Sequence, residues 1–295
     1  MKGVSKVMTQ YLYDFQFGVG VSGGAEAILH SVNRVLGDRH EDGSLAMLTV
    51  DFSNAFNLVD RSSLLQEVRV RCPSISSWVE FLYGQPARLY LGDNYIWSTT
   101  GVQQGDPLGP LLFALVLHPL VHQIRDNCKL LLHAWYLNDG TVIGDVREVA
   151  KVLDIIKDRG PSLGLVLNIR KTELFWPSCD GRKSRAGLFP EDIGRPALGV
   201  KLLGGAVSRN ADFIQGLATK RASNAVDLIR LLPKLGDPQS ELLLLRSCMG
   251  IAKLFFGLRT CPPLHMMGAA SFFDKELRAA IENLVVCGGP FFGDL

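Results

Sequence analysis

Two acidic residues occupy positions from which chain geometry can bring carboxylates together. Asp51 stands near the end of residues 45–52, LAMLTVDF, a near-continuous apolar run that reads as a buried strand. Asp139 lies in Asn138-Asp139-Gly140, between LLLHAWYL and TVIGD, a pattern that reads as a hairpin. Carboxylates delivered by separate strands to one edge of a sheet form a donor set for hard divalent cations such as Mg²⁺. Each also has a plainer reading. An acid at a strand end often caps a helix, and N-D-G is good turn chemistry in any protein.

Their neighbours decide between these readings. Asp51-Phe52-Ser53-Asn54-Ala55-Phe56 resembles the D-x-x-x-A-F pattern of reverse transcriptases. Gln104-Gly105-Asp106-Pro107 is similar to their Q-G-x-P turn, and Tyr136-Leu137-Asn138-Asp139 to their Y-x-D-D hairpin. Asn168 followed by Lys171-Thr172 resembles N-x-x-K-T, and Leu202-Leu203-Gly204 the short L-G primer-grip segment. The motifs fall in the family's order across roughly residues 15–210, and their flavour is that of non-LTR (LINE-like) retrotransposons.

The resemblance implies RNA-directed DNA synthesis by two-metal nucleotidyl transfer, with the ions about 4 Å apart. Asp51, Asp139 and position 138 would bind two Mg²⁺ ions, or Mn²⁺ in their place, with the Phe52 carbonyl assisting. Phe56 would sit under the incoming sugar and exclude a 2′-hydroxyl. Gln104 and Gly105 would line the nucleotide pocket, Lys171 would protonate pyrophosphate, and Leu203 and Gly204 would form the primer grip. The partners implied are an RNA template, a DNA primer and a dNTP. Read from residue type alone, Phe56 is a core aromatic, Gly105 a turn residue and Lys171 a solvated lysine.

Two departures from the family qualify this. The family has aspartate where this chain has Asn138. An amide keeps an oxygen acceptor but loses the charge, so a loss of about a thousandfold or more in rate is expected. Little sequence precedes Tyr11, and no endonuclease or C-terminal zinc knuckle is evident, so the chain is expected to be a fragment or a degraded copy. The alternative to a weak polymerase is then a non-catalytic protein that keeps the fold and binds nucleic acid.

The elements that must position these residues alternate between helices and hairpins. Residues 25–36 have helical apolar spacing. Ser63 with Gln66 reads as a capping box opening a helix to about Val70, and a second helix follows from Ser74 to about Tyr83. ARLYL and YIWST flank Gly92-Asp93-Asn94, a hairpin signal. Asp106 reads as the N-cap, and Pro107 as the first residue, of a long helix. LGLVLN and TELFWP read as strands, and from about Phe213 the pattern is helical, with LIRLL and SELLLLRSCMGIAKLFF. Hairpins imply antiparallel pairing, hence an α+β polymerase palm with partial fingers (1–44), palm (45–209) and a helical thumb-like part (210–295).

Bulk composition sets the outer limits. With 47% hydrophobic and 20% charged residues, the 295-residue chain suits a globular protein with a sizeable core. Net charge is only +2, but Arg195 to Arg259 holds ten Lys/Arg against four Asp/Glu, an excess that suits a phosphate backbone or a solvated face. The six cysteines are scattered without a C-x-x-C pair, which predicts reduced thiols and an intracellular, nuclear or cytoplasmic protein. No stretch reads as a secretion signal or membrane span.

Overall fold

The computed structural model describes residues 2–178 and 186–286; Cys179, Cys287 and the terminal Gly293-Asp294-Leu295 lie outside the described residues. The chain divides into two compact units, Met1–Ala197 and Leu198–Leu295. The first unit contains α1 (Lys2–Leu12), α2 (Gly24–Asp38), β1 (Leu45–Val50), α3 (Ala55–Leu58), α4 (Arg61–Arg71), α5 (Pro73–Tyr83), β2 (Ala87–Leu91), β3 (Asn94–Ser98), α6 (Gly109–Asn127), β4 (Leu130–Tyr136), β5 (Asp139–Asp145), α7 (Val146–Arg159) and β6 (Glu173–Phe175).

The apolar run at 45–50 behaves as its composition dictates. Leu45, Ala46, Met47, Leu48 and Val50 are all buried, because β1 lies inside a four-stranded sheet of order β4-β5-β1-β6. Its pairings with β5 and β6, and that of β4 with β5, are antiparallel. The expected α+β architecture with an antiparallel sheet is therefore present. Helix α7 packs on β1 and β5, and α2 on β4. Helix α6 is buried along most of its length, with Leu112, Phe113, Leu115 and Leu117 in the same core as Leu48 and Val50.

Local chemistry moved several boundaries. Asp60, not Ser63, caps α4, its carboxylate accepting from the Ser63 amide at 2.7 Å. Helix α6 starts at Gly109, not Pro107. Asp106 accepts from the Leu108 amide at 2.9 Å and so closes a turn ahead of the helix, leaving the early helical position to Pro110. LGLVLN is not a strand; a single bridge joins Leu167 to Phe52. The Asn168 carbonyl accepts from the Lys171 and Thr172 amides, which bends the chain there. The β2–β3 hairpin forms as expected, with Leu91 opposite Asn94 and Gly92 at φ 61° in the turn.

In the second unit, β7 (Val200–Leu202) and β8 (Gly205–Val207) form a hairpin, followed by α8 (Ala211–Ile229), α9 (Pro238–Leu244), α10 (Ala252–Thr260) and α11 (Pro263–Val286). Ala222 and Val226 of α8 pack with Leu254 of α10 and Met266 and Phe273 of α11. The run from Ser240 is not one helix, because a π-helical turn at Leu245–Met249 and an extended Gly250 interrupt it. No helix among the described residues is long and apolar enough to cross a membrane. Cys72, Cys128, Cys248 and Cys261 are free thiols.

Candidate active site

The ladder between β1 and β5 sets Thr49 opposite Thr141 and Val50 opposite Gly140. One further step places Asp51 beside Asp139. Burial, and after it the charge of Asp51, raises the Asp139 carboxyl above its ordinary value of 3.8. The Asp51 backbone is tied on its other side. Its carbonyl accepts from the Asn168 amide at 2.8 Å, and its amide donates to the Thr172 hydroxyl at 3.3 Å. Thr172 is fully buried and donates onward to the Asn168 carbonyl at 2.9 Å. The Ser53 amide donates to Val166 on that same edge. Alternation along an extended chain then turns the Phe52 carbonyl to the opposite edge, towards β5.

The hairpin carrying Asp139 differs from its expected form. Tyr136 pairs with Asp139, so the turn residues are Leu137 and Asn138, and Asp139 and Gly140 belong to β5. Leu137, not an Asn or Gly, takes positive φ, at 55°. Gly140 instead serves packing: a Cβ there would lie 2.5 Å from the Trp135 ring. That ring is fully buried and stacks on Phe52 at 6.0 Å between centroids. The Asn138 side-chain NH₂ donates to Asp139 Oδ1 at 3.3 Å. A carboxylate at 138 would instead add a third negative oxygen donor.

Gln16 belongs to no motif singled out in the sequence. It is 3% exposed, and its side-chain amide bonds both backbone groups of Leu137. The only sequence signal for it is an uncharged polar residue inside the aromatic stretch Tyr11 to Phe17.

The remaining expected residues fall at three places. Phe56, in α3, is half-buried with its ring stacked on Phe113 at 4.6 Å and 17°. The Val102 amide donates to the Phe56 carbonyl at 2.7 Å, which draws the start of the 103–107 turn to α3. Gln104 and Gly105 are exposed in that turn, and Gly105 needs its glycine, at φ 95°. The Tyr83 hydroxyl braces the turn, donating to Asp106 and accepting from the Gln103 amide at 3.2 Å. Lys171 is exposed beside the buried Thr172. Leu203 and Gly204 form the β7–β8 turn of the second unit, with φ of 46° and 87°.

Asp139 thus stands beside both Asp51 and Asn138, and two carboxylates with an amide oxygen are donors that could hold a divalent cation. Among the described residues no three or more His, Cys, Asp or Glu side chains converge as metal ligands.

The sequence profile of the family described as "Reverse transcriptase (RNA-dependent DNA polymerase)" matches residues 2–207. The chain belongs to the reverse transcriptase family. The reverse transcriptase match is joined by a curated relative, the "Retrotransposable element SLACS 132 kDa protein" of Trypanosoma brucei gambiense. The two are 31% identical over 178 residues, which is 58% of this chain and 14% of that protein. Among solved structures, apo telomerase from Candida tropicalis has a TM-score of 0.53 and 11% identity, covering 97% of this chain and 56% of its own. The same telomerase in complex with a TWJ fragment of telomeric RNA has a TM-score of 0.50 and 12% identity, covering 97% of this chain and 54% of its own. At that identity the likeness is one of fold.

The reverse transcriptase chain also has a basic cavity in its second unit. Lys201, Lys220, Arg221 and Lys253 line about 280 Å³ with no carboxylate among the lining residues. Arg221 donates to the Gly204 carbonyl and packs over the Phe256 ring at 5.0 Å. A larger cavity of about 420 Å³, between residues such as Ile229, Leu245 and Glu276, carries none of the motif residues.

Proposed function

We propose that this chain carries out RNA-templated DNA synthesis on a DNA primer, at a rate held down by Asn138. The observation that carries this is the side-by-side placement of Asp51 and Asp139; a divalent cation held between them would offset the repulsion that Asp139 meets there. When bound, divalent ions would activate the primer 3′-hydroxyl and stabilise the leaving pyrophosphate.

The chain's own residues take the following roles in this reading. Asp51 and Asp139 supply the negative charge, and the Phe52 carbonyl adds a neutral donor. Phe56, fixed by its stack on Phe113, selects dNTP over rNTP by filling the space of a 2′-hydroxyl. Gln104 and Gly105 bound the nucleotide pocket, Gly105 leaving room on its open side. Lys171, exposed beside the buried Thr172, gives a proton to pyrophosphate. Leu203 and Gly204 hold the primer, and the nearby lysines bind its phosphates.

A second reading, a palm that binds nucleic acid without polymerising, is favoured by one feature. The Asn138 amide turns a donor, not an acceptor, towards Asp139.

The test is primer extension on poly(rA)/oligo(dT) with Mg²⁺ or Mn²⁺, comparing wild type, Asn138→Asp and Asp51→Asn. Slow extension by wild type, faster by Asn138→Asp and none by Asp51→Asn supports the proposal. Duplex binding with no extension by any of the three supports the second reading.

A further inference from the structure

A two-residue hairpin turn leaves the peptide groups of its first residue outside the strand ladder, and buried ones need other partners. Here that residue is Leu137. It is half-buried, and it is one of three non-glycine residues at positive φ among the described residues, with Asn54 and Leu203. An L-residue with a branched side chain resists that conformation, so something must hold it there.

Gln16 does so. Its Oε1 accepts from the Leu137 amide at 2.7 Å and from the Gly18 amide at 3.0 Å. Its Nε2 donates to the Leu137 carbonyl at 3.3 Å. One primary amide thus reproduces, from a side chain, the donor–acceptor pairing that a neighbouring strand would give. Gln16 is itself anchored: the Trp135 amide donates to the Phe15 carbonyl and the Phe17 amide to the Trp135 carbonyl, each at 2.7 Å. These bonds make the short parallel bridge between Gln16 and Trp135. Gly18 completes the saddle, since a Cβ there would lie 2.7 Å from the Leu137 backbone nitrogen. The segment 15–18 therefore grips the turn, and Asn138 and Asp139 follow it directly.

We propose that Gln16 is a positioning residue for the Asn138–Asp139 hairpin: its side-chain amide holds Leu137 at positive φ and thereby aims the Asp139 carboxylate at the cation site. The inference rests on reading the Asp51–Asp139 pair as that site. Gln16 is buried and acts through the Leu137 peptide.

The test uses the full chain, with Gln16→Met and Leu137→Gly made singly and together. Two quantities are read: hydrogen exchange at the Leu137 amide, and Mn²⁺ affinity by titration calorimetry. Gln16→Met should remove most of the Leu137 protection and weaken Mn²⁺ binding about tenfold, as loss of a partner that orients a metal ligand does. Glycine adopts positive φ freely, so in the Leu137→Gly background Gln16→Met should cost no more than about threefold, a non-additivity that marks direct coupling. A merely structural Gln16 would cost the same in both backgrounds.

If Gln16→Met does not fold, Gln16→Glu replaces it. The carboxylate keeps the acceptor for the Leu137 and Gly18 amides but cannot donate to the Leu137 carbonyl, and Leu137 exchange should accelerate less. Unchanged Leu137 exchange in these variants, or an equal cost in both backgrounds, overturns the proposal. These readouts do not depend on polymerisation. A chain whose hairpin responds as stated but never extends a primer retains the Gln16 role and loses the polymerase reading; if wild type binds no Mn²⁺, the Leu137 exchange decides alone.

Discussion

Asp51 and Asp139 lie one step beyond Val50 and Gly140, the last pair of the β1–β5 ladder, and the Asp51 charge acts on the Asp139 carboxyl. Their proximity costs the folded protein something. Burial first, and the Asp51 charge second, raise the Asp139 carboxyl above 3.8. The folded state therefore holds that proton more tightly than the unfolded chain. The stability gained is full below the ordinary carboxylate value and is lost as pH rises through the folded value, so at neutral pH the buried Asp139 charge is a net strain.

Asp139→Asn should remove that strain. At pH 7 its melting temperature is expected to rise by about 1–2 °C, while the stabilisation that Mn²⁺ gives wild type disappears. Differential scanning calorimetry with and without Mn²⁺ reads both. A lower melting temperature for the metal-free variant would contradict the electrostatic account.

Asn138→Asp should act in the opposite sense. A third carboxylate adds repulsion to the metal-free protein and lowers its melting temperature, but strengthens divalent binding and raises single-turnover nucleotide incorporation by about a hundredfold or more. Equal incorporation by the two proteins would show that the amide is a competent ligand.

Two histidines should govern the acid limb of stability. His118 and His133 are both pushed down to about 4, by burial first and then by the charge of His122. His118 Nε2 and His133 Nδ1 are buried without a hydrogen-bond partner. As pH falls from 6.5 towards 4 the unfolded chain takes up protons that the folded chain refuses. Stability should drop by on the order of 2 kcal/mol per histidine between pH 7 and pH 5. Urea unfolding of His118→Leu at both pH values should show a shallower drop.

Gly140→Ala tests the packing role of that glycine. The added methyl meets the Trp135 ring at 2.5 Å, and the ring, held against Phe52, has little room to move. A loss of about 2–3 kcal/mol in urea-unfolding free energy is expected. A glycine needed only for turn chemistry would cost much less here, because Gly140 is not among the positive-φ residues.

The basic cavity predicts a salt dependence. Replacing Lys201, Lys220 and Lys253 together by Ala should weaken primer–template binding and reduce the slope of log K against log salt by about two to three units. An unchanged slope, measured by fluorescence anisotropy, would make these lysines a solvated face.

The sequence by itself determined the family, the antiparallel α+β class and the identity of the paired acids. Those follow from short-range patterns: an apolar run of strand length ending in Asp51, two strand-like runs around Asn138-Asp139, and motif order. Such patterns survive in one dimension because side-chain alternation and turn chemistry are local. What the tertiary structure alone decided is who holds the hairpin and how. N-D-G reads as a turn, yet the fold places Asp139 and Gly140 in β5 and gives the positive φ to Leu137; the Trp135 ring packs over Gly140, and the Gln16 amide bonds the Leu137 peptide groups. Lys171 stood out in its motif, while the neighbouring Thr172 is the one buried against the Asp51 amide. Gln16 is separated from Leu137 by 121 residues. Its partner is fixed by strand pairing and burial, and no periodicity in the sequence encodes a single amide meeting a single distant peptide.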